Sequence, residues 1–376
     1  MEYRTAGESH GRGLLAFIEG FPSGFLIDVD KINFELRRRQ GGYGRGGRQQ
    51  IEADKIEILT GIWQGKSTGA PLSFWIVNKD SRIDSAPEIV NPRPGHVDLA
   101  GAVKFGLPIR PIMERASARE TAARVAAGAL ANQYLESKGI AVVGFVRSIG
   151  DADSSWDELQ KREFEREIDL LDPSELLSRR NGSEFYTAFS DSIAANREAK
   201  FREIVDDATL GGDSVGGLIE IRAFNVPIGI GSHTQWNQKL DAKIAMNIMS
   251  IQAIKGVEIG LGFAAAKTRG SKMHDPIGYD EAQKSSANQG YYRRTNNAGG
   301  IEGGISNGST IVVRCAMKPI PTMRLPLKSI DWNTKKQSNA TYERSDVCAV
   351  PAASVVAQNV LAITILEAML NDQCKC

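Results

Sequence analysis

The sequence predicts an α+β protein built on antiparallel sheets, and three observations favour that class. Strand-like segments come in pairs separated by short polar turns, which is typical of hairpins. Helix-like segments occur singly, which argues against a doubly wound parallel sheet. No linker rich in Pro or Ser divides the 376 residues, so we expect a single domain over residues 1–376.

The N-terminal region predicts two hairpins. "GLLAFIEGFPSGFLIDV" indicates a strand, a turn at Pro22 to Gly24 and a second strand. "KIEILTGIWQGKSTGAPLSFWIVN" has the same form, because Ile56, Ile58 and Thr60 alternate with their neighbours ahead of a polar turn.

A helix is predicted over residues 115–139. Ser117 and Glu120 have the spacing of an S-x-x-E capping box, and Gly139 marks the stop. The apolar face recurs at helical spacing through Ala122, Val125, Ala126, Ala129, Leu130 and Tyr134.

The second half repeats this pattern after a charged stretch. Residues 151–207 are rich in charge and predict solvated helices in a divergent insertion. "GGDSVGGLIEIRAFNVPIGIG" then predicts a turn and a strand. "QKLDAKIAMNIMSIQAIKGVEIG" predicts one helix whose apolar side is formed by Leu240, Ile244, Ile248 and Ile251.

The apolar segment 349–370 is long enough to be tested as a membrane span. Gln358, Asn359 and Glu367 interrupt it, so a buried core helix that begins near Pro351 is the better prediction. Residues 371–376 are expected to form a frayed tail.

Composition restricts the possible partners. Lys+Arg 46 against Asp+Glu 45 gives a formal charge of +1, so the overall balance does not predict a nucleic acid or membrane partner. Charged residues interrupt the N-terminal apolar runs, which argues against secretion. The four cysteines lack metal-ligand spacing, and we expect no metal site and a reduced, cytoplasmic setting.

Two histidines lie beside glycines, His10 in "TAGESHGRG" and His96 in "NPRPGHVDLAG". Glycine permits tight turns and a close approach of the backbone to a ligand, so either imidazole could be presented to a small molecule. A plain surface turn is the alternative for each histidine taken alone.

The segment "RRRQGGYGRGGR", residues 37–48, carries five arginines, five glycines and no acid. Guanidinium groups bind phosphate and carboxylate oxygens bidentately, so this segment predicts a site for a small polyanion. An RGG-type nucleic-acid segment and a solvated loop are the alternatives.

Three weaker signals accompany this segment. The helix start at Ser117, with Arg115 before it, suits a phosphate. The glycine-rich run 296–308 suggests backbone packed against a flat ligand or a surface loop. Asp346 in "YERSDVCAVPAA" reads first as a helix cap.

One glycine pattern is set aside. Gly260, Gly262 and Ala265 have G-x-G-x-x-A spacing, but "KTRGSKMHDP" ends the following helix too early for a dinucleotide-binding unit. Together, the histidines, the carboxylate, the arginines and the glycines suit proton transfer on a phosphorylated acid beside a cofactor.

These motifs resemble the chorismate synthase family in chain order from Thr5 to about Ala353. The resemblance is carried by "TAGESHG", "RRRQGGYGRGGR", "RPGHVDLAGAVKFG", "RASARETAARVAAGALA", "SIQAIKGVEIG", "NNAGGIEGGISNG", "AMKPIPT" and "RSDVCAVPAA". It implies a 1,4-anti elimination of phosphate from 5-enolpyruvylshikimate 3-phosphate that requires reduced FMN. It also implies a β-α-β sandwich, with antiparallel sheets around a helical core, in a homotetramer.

The resemblance also implies roles for individual residues. His10 would protonate the leaving phosphate, His96 would protonate or stabilise the reduced flavin, and Asp346 would act with flavin N5 on the C6 hydrogen. Contacts to substrate or NADP map to Arg39, Arg45 and Arg48. Contacts to flavin map to Arg115, Ala116, Ser117, Gln252, Ala253, Gly303, Lys318, Pro319, Ile320, Pro321, Thr322 and Arg344.

Some points stay open at this stage. "GLPIRPIME" and the charged stretch 151–207 depart from the family pattern, which bears on loop packing. No reductase domain is evident, so we expect dependence on a separate flavin reductase, with NADPH as the ultimate electron donor. His233 and His274 are expected to be structural. A flavin or nicotinamide oxidoreductase and an RGG-type nucleic-acid-binding protein are the rival functions.

Overall fold

The computed structural model describes residues 1–46, 53–153, 165, 167–189, 191–286 and 288–373. Two four-stranded sheets enclose a layer of helices, which confirms the α+β class and the sandwich arrangement. Every strand ladder in these ranges is antiparallel. Arg48, Cys374 and Cys376 lie outside the described residues.

The first sheet comes from the N-terminal region. Its strands are β1 (Glu2–Ala6), β2 (Gly13–Glu19), β3 (Ile56–Thr60) and β4 (Leu72–Val77), in the spatial order β1-β2-β4-β3. Leu14, Leu72 and Phe74 are fully buried on its inner face, as the alternating pattern requires.

The second sheet has the same spatial order. Its strands are β5 (Ala141–Ile149), β6 (Gly217–Phe224), β7 (Ile254–Ile259) and β8 (Ile311–Met317), in the order β5-β6-β8-β7. The two four-stranded sheets therefore have the same arrangement of strands.

Helices fill the space between the sheets and cover their ends. In chain order they are α1 (Val29–Gln40), α2 (Asp98–Phe105), α3 (Ile109–Ala116), α4 (Thr121–Ser137), α5 (Pro173–Gly182), α6 (Asp191–Gly211), α7 (Leu240–Met249) and α8 (Val350–Gln373). Helix α4 packs on β2 and β4, α8 packs on β5 and β6, and the two helices pack on each other. The layers are thus sheet, paired helices and sheet.

The remaining regular elements are short. A four-residue helix spans Gly270–Met273. Two-stranded hairpins pair Ile62–Trp63 with Lys66–Ser67, Ile277–Tyr279 with Tyr291–Arg293, Ile301–Glu302 with Ile305–Ser306, and Lys328–Ile330 with Gln337–Asn339.

Helix α8 is long and apolar enough to cross a membrane by length and composition, yet 89% of its most apolar window is buried inside the protein. Two of the polar side chains that interrupt the apolar segment have partners within the fold. Gln358 Oε1 accepts a hydrogen bond from the backbone N–H of Gly144 at 3.0 Å, and Asn359 Nδ2 donates to Glu35 Oε2 at 3.1 Å. The predicted core helix is therefore confirmed.

Three local predictions were wrong. The segment after the Pro22–Gly24 turn forms only an isolated bridge between Leu26 and Lys66, because the chain turns there into α1. Arg37 to Arg39 belong to the last turn of α1, so the alternative of a solvated loop does not hold for this part of the arginine-rich segment. The predicted helix over "QKLDAKIAMNIMSIQAIKGVEIG" ends at Met249, and the chain continues as β7.

The capping box at Ser117 is the third wrong prediction. Ser117 Oγ accepts from the backbone N–H of Arg119 at 3.3 Å and caps a 3₁₀ turn, Ala118–Glu120, ahead of α4. Glu120 does not return to the cap, because its carboxylate binds Thr5 Oγ1 at 2.5 Å and Gln252 Nε2 at 3.0 Å.

The charged stretch 151–207 is helical in the parts that the structure describes. Helices α5 and α6 lie there, with Leu176 and Phe201 fully buried against the second sheet and its neighbours. The stretch thus contributes to the core as well as to the surface.

Candidate active site

A cavity of about 450 Å³ opens between the two halves of the sandwich. That volume lies in the range typical of cofactor and substrate sites. Among the described residues, its wall carries six cationic side chains and two carboxylates, namely Arg39, Arg45, Arg93, Arg119, Lys318 and Arg344 with Glu343 and Asp346. His10 and His96 also line it. The excess of positive charge suits an anionic ligand.

The loop of residues 7–11, with the sequence GESHG and called the GESHG loop below, places His10 on this wall. Gly7 has φ +104°, and a Cβ there would lie 2.2 Å from the carbonyl oxygen of Gly13, so only glycine fits. The side-chain amide of Asn78 donates to the carbonyl oxygens of Glu8 at 3.0 Å and Gly11 at 2.9 Å. The loop is therefore fixed before any ligand binds.

The His10 ring is held by a buried carboxylate. Nδ1 lies 2.9 Å from Glu114 Oε2, and the backbone N–H of His10 donates to the same oxygen at 2.8 Å. Burial opposes ionisation of Glu114, but the hydrogen bonds from His10 and the charge of Arg110 outweigh it and lower the pKa of that carboxyl.

His96 has a similar arrangement in the turn before α2. Its Nδ1 lies 2.5 Å from Asp98 Oδ1, and Arg93 Nε donates to Asp98 Oδ2 at 2.8 Å. Burial opposes ionisation of Asp98, yet His96 and Arg93 hold its pKa well below the usual range. Arg93 also donates from Nη1 to Thr322 Oγ1 at 2.9 Å, which links the turn to the opposite wall.

Two arginines on the wall are arranged around one acid. Asp54 Oδ2 accepts from Arg39 Nη2 at 2.8 Å and from Arg119 Nη1 at 2.7 Å, and none of the Asp54 side chain is exposed. Burial opposes ionisation of Asp54, but both guanidinium groups lower its pKa. One negative charge therefore orients two positive charges, and the group keeps a net positive charge.

Asp346 lies against the arginine-rich segment. Its Oδ2 is 2.5 Å from Arg45 Nη1, and its Oδ1 accepts from the backbone N–H of Gly46 at 2.6 Å. A Cβ on Gly44 would lie 2.7 Å from Cys348 Cβ, so glycine lets the two segments run side by side. The helix-cap interpretation of Asp346 was wrong, because its partners are in this segment and not in α8.

The remaining wall comes from the second half of the chain. Gln252 Nε2 donates to Glu120 Oε2 at 3.0 Å, while Gln252 Oε1 is buried without a hydrogen-bond partner among the described residues. Ala253 accepts from the backbone N–H of Lys318 at 3.0 Å, and Lys318 Nζ donates to the carbonyl oxygen of Gly95. Burial and the charge of Lys255 lower the pKa of Lys318.

Most of the residues that the resemblance singles out meet at this cavity. Its wall includes His10, Arg39, Arg45, His96, Ala116, Ser117, Gln252, Ala253, Lys318, Ile320, Pro321, Thr322, Arg344 and Asp346. Residues that are hundreds of positions apart in sequence thus share one site.

Three others are not part of that wall. Arg115 is exposed and donates to the carbonyl oxygen of Thr5 at 3.0 Å, so it supports the start of the GESHG loop. Pro319 follows the wall residue Lys318 without lining the cavity. Gly303 forms the exposed turn of the Ile301–Ser306 hairpin, because this glycine-rich run pairs with the protein's own backbone.

Sequence reasoning missed the acids behind the site. Glu114, Asp98 and Asp54 are fully buried, and each holds a histidine or arginine of the wall. Only Asp98 had a local signal, two residues after His96 and at the first position of a helix. Glu114 is separated from His10 by 104 residues, so no spacing rule could have found it.

The structure bears on two further questions: whether His233 and His274 belong to the site, and whether the arginine-rich segment is exposed enough to bind nucleic acid. His233 and His274 are exposed and do not line the cavity. Arg38 and Arg39 are buried and paired with Glu35 and Asp54, so this part of the segment is not an exposed RGG strip for nucleic acid. No group of acids, histidines and cysteines in the described residues could hold a metal ion.

Comparison with known proteins gives a consistent result. The family model described as "Chorismate synthase" matches residues 1–370. Chorismate synthase from Geobacter sulfurreducens is 49% identical over 385 residues, covering 99% of this chain and 94% of that protein. Its counterpart from Aquifex aeolicus is 46% identical over 387 residues, covering 99% and 93%. A solved structure described as "Crystal Structure of Chorismate Synthase" is 40% identical, has a TM-score of 0.76 and covers 99% of this chain and 92% of that one.

Proposed function

The chain belongs to the chorismate synthase family, and from that premise we propose that it eliminates phosphate from 5-enolpyruvylshikimate 3-phosphate to form chorismate. This is a carbon–oxygen lyase reaction, in which the C3–O bond to phosphate and the C6–H bond both break. One observation carries the proposal: His10, His96 and Asp346 line a single cationic cavity in a chain that matches the family over its length.

The arginines would bind the substrate's phosphate and carboxylates. Arg39 Nε and Arg45 Nε are buried without hydrogen-bond partners among the described residues. A buried donor without an acceptor is costly, and an oxyanion in the cavity would remove that cost. Arg45 would turn from Asp346 toward the substrate, while Arg39 is held in place by Asp54.

Two residues would handle the protons. His10 would donate one to the departing phosphate, where neutralising a developing negative charge lowers the barrier most. Asp346, once its hold on Arg45 is shared with the substrate, would accept the C6 hydrogen as a proton. Hydrogen bonds from Arg45 and from the backbone N–H of Gly46 hold its two oxygens in place.

The cavity suits reduced FMN. The unpaired Gln252 Oε1 can accept from a ring N–H, and Ala116, Ile320 and Pro321 provide a weakly polar surface for a flat ring. Reduced FMN, when bound, supplies electron density that weakens the C–O bond to phosphate. His96, held by Asp98, would place a proton beside the ring.

Further elements of the proposal concern partners and location. We place the enzyme in the cytoplasm as a homotetramer, supplied with reduced flavin by a separate reductase that uses NADPH. The purified protein should then oxidise no NADPH in the presence of FMN, as followed by absorbance. Steady NADPH oxidation by the purified chain would instead show that it reduces its own flavin.

The decisive experiment is anaerobic incubation with reduced FMN and 5-enolpyruvylshikimate 3-phosphate. We expect equal amounts of inorganic phosphate and chorismate, with no net oxidation of flavin. Flavin oxidation in step with product would support the rival oxidoreductase. A lack of phosphate release from folded protein would refute the proposed reaction.

A further inference from the structure

We infer that Glu114 and Asp98 are positioning residues, each of which keeps a proton on Nδ1 of its histidine and leaves Nε2 for the reaction. The inference rests on the proposed function only for what that proton does. Both acids have completely buried side chains, whereas His10 and His96 are 13% and 18% exposed. The carboxylates therefore act behind the imidazoles and do not face the cavity as the histidines do.

The contacts of Glu114 determine which nitrogen of His10 carries the proton. His10 Nδ1 is 3.0 Å from Oε1 and 2.9 Å from Oε2 of Glu114. An ionised carboxylate only accepts hydrogen bonds, so the shared hydrogen belongs to Nδ1. The opposite tautomer would turn the lone pair of Nδ1 toward the oxygens of Glu114. The imidazolium, which carries a second proton on Nε2, is the form that can donate a proton to the phosphate.

Glu114 is itself firmly placed. Its Oε2 accepts from the backbone N–H of His10 at 2.8 Å, and its backbone carbonyl accepts from the N–H of Ser9 at 2.9 Å. Arg110 Nη1, one turn earlier on α3, lies 3.5 Å from Oε1. The histidine, its backbone and the helix thus form one rigid unit.

Other charges facing His10 are more distant. Asp80 Oδ2 lies 3.7 Å from His10 Nε2, beyond hydrogen-bond distance, and Arg82 Nε pairs with Asp80 at 3.0 Å. The Asp80 side chain is also 25% exposed, so solvent weakens its field. Glu114 is therefore the group that sets the tautomer, and Asp80 provides a matched control.

Asp98 holds His96 in a similar way but also binds Arg93. Its Oδ1 receives both His96 Nδ1 at 2.5 Å and Arg93 Nη2 at 3.0 Å, and its Oδ2 receives the backbone N–H of Arg93 at 3.1 Å. Because Arg93 also reaches Thr322, a change at Asp98 would disturb two parts of the wall. Glu114 gives the cleaner test.

The first experiment measures ring ¹⁵N shifts of the resting enzyme without substrate. Only four histidines contribute, so single His→Gln variants assign each signal. In the wild type we expect His10 to carry a proton on Nδ1, with or without a second proton on Nε2. In Glu114→Gln the amide N–H₂ can donate to Nδ1, so we expect the Nε2–H form. Asp80→Asn should leave the His10 tautomer unchanged, whereas an Nδ1–H form that persists in Glu114→Gln would refute the inference.

The second experiment measures anaerobic turnover against pH. Glu114→Gln should lower kcat by about 10²-fold or more, with a much smaller change in KM, since proton donation typically contributes about 10²–10⁴-fold. Glu114→Asp, which keeps the charge, should recover part of the lost kcat.

The two experiments distinguish a failure of the proposed reaction from a failure of the proposed positioning role. A tautomer change without chorismate formation by the wild type would refute the proposed reaction and leave the positioning role intact. Wild-type turnover that Glu114→Gln matches at every pH would refute the positioning role alone. Circular dichroism melting identifies any variant that fails to fold, and Asp98→Asn, observed at His96, then provides a second test of the same claim.

Discussion

The imidazoles of His10 and His96 combine partial exposure with a fixed hydrogen bond, a pairing that suits reactive side chains better than core residues. Neither ring belongs to the apolar core, so removal of either should not create a cavity inside the sandwich. The loops that carry them are held mainly by other contacts, such as those of Asn78 and Arg93.

We therefore expect His10→Ala and His96→Ala each to lower turnover by about 10²–10⁴-fold while the melting temperature stays close to that of the wild type. Anaerobic chorismate formation and circular dichroism are the measurements. His233→Ala and His274→Ala, at exposed positions away from the cavity, serve as controls that retain activity. Near-normal turnover in either of the first two variants would contradict the proton role assigned to that residue.

At the scale of single residues, sequence patterns identify the groups that face a ligand. They identify the groups that hold those side chains in place much less readily. Glycine beside His10 and arginines around Arg45 are local patterns, so they can be read directly. Glu114 and Asp54 are ordinary acids in sequence, and they gain meaning only when folding brings a distant histidine or arginine within hydrogen-bond distance. Long-range pairing of this kind leaves no mark in a single sequence.

At the scale of elements, helices α4 and α8 come into close contact at Gly128. A Cβ on Gly128 would lie 2.4 Å from both Cβ and the carbonyl oxygen of Asn359. Gly128→Ala should therefore lower the free energy of unfolding by about 1–3 kcal/mol, as overpacking of a core does. Chemical denaturation measures this change.

Gly211→Ala is the matched control for that substitution. Gly211 is also helical, at the end of α6, but an added Cβ would meet nothing within 4 Å. We expect the free energy of unfolding of the Gly211→Ala variant to be unchanged or slightly raised, because alanine favours the helix. Equal losses in both variants would show that the α4–α8 contact is looser than this spacing indicates.

A buried ion-pair network joins three strands of the second sheet. Glu220 on β6 binds Arg147 of β5, Arg222 of its own strand and Arg314 of β8. Burial opposes ionisation of Glu220, but these arginines outweigh it and hold its pKa well below the usual range. The network contributes stability only while the carboxyl stays ionised.

Glu220→Gln should lower the free energy of unfolding by about 3–5 kcal/mol at pH 7, because the buried Arg222 and the partly buried Arg147 and Arg314 lose the carboxylate that they share. Since the folded pKa lies below the unfolded value of about 4.3, the wild-type advantage is complete above that pH and shrinks as the pH falls below it. Urea unfolding from pH 7 to pH 3 tests this dependence. A difference that grows toward acid pH would contradict it.

Elements whose apolar residues recur at a regular spacing were predicted well. Elements that depend on contacts with distant parts of the chain were not. The hairpin of β3 and β4 and the helices α4 and α8 follow from apolar spacing. Helix α1 was not predicted, although Asp28 caps it through the backbone N–H groups of Asp30 and Lys31. The predicted capping box does not form, because the carboxylate of Glu120 accepts hydrogen bonds from Thr5 and Gln252 instead.

At the scale of the whole molecule, the proposed homotetramer needs apolar surface that a single chain leaves uncovered. Val103, Phe105 and Leu107, in and just after α2, are 66%, 62% and 47% exposed. Apolar side chains grouped in this way commonly mark contacts between subunits. Light scattering after size exclusion should give about four times the 40.8 kDa chain mass. A mass that stays at one chain at micromolar concentration would contradict the tetramer.

The cavity takes His10 and His96 from the first half of the chain and Gln252 and Asp346 from the second. Strand β5, which ends the first half, pairs with β6 of the second, so the two halves are interlocked. Cleavage between Asp153 and Glu165 should therefore yield two pieces that are inert separately and regain catalysis on complementation. Activity in one purified piece would show that the chemistry does not require both.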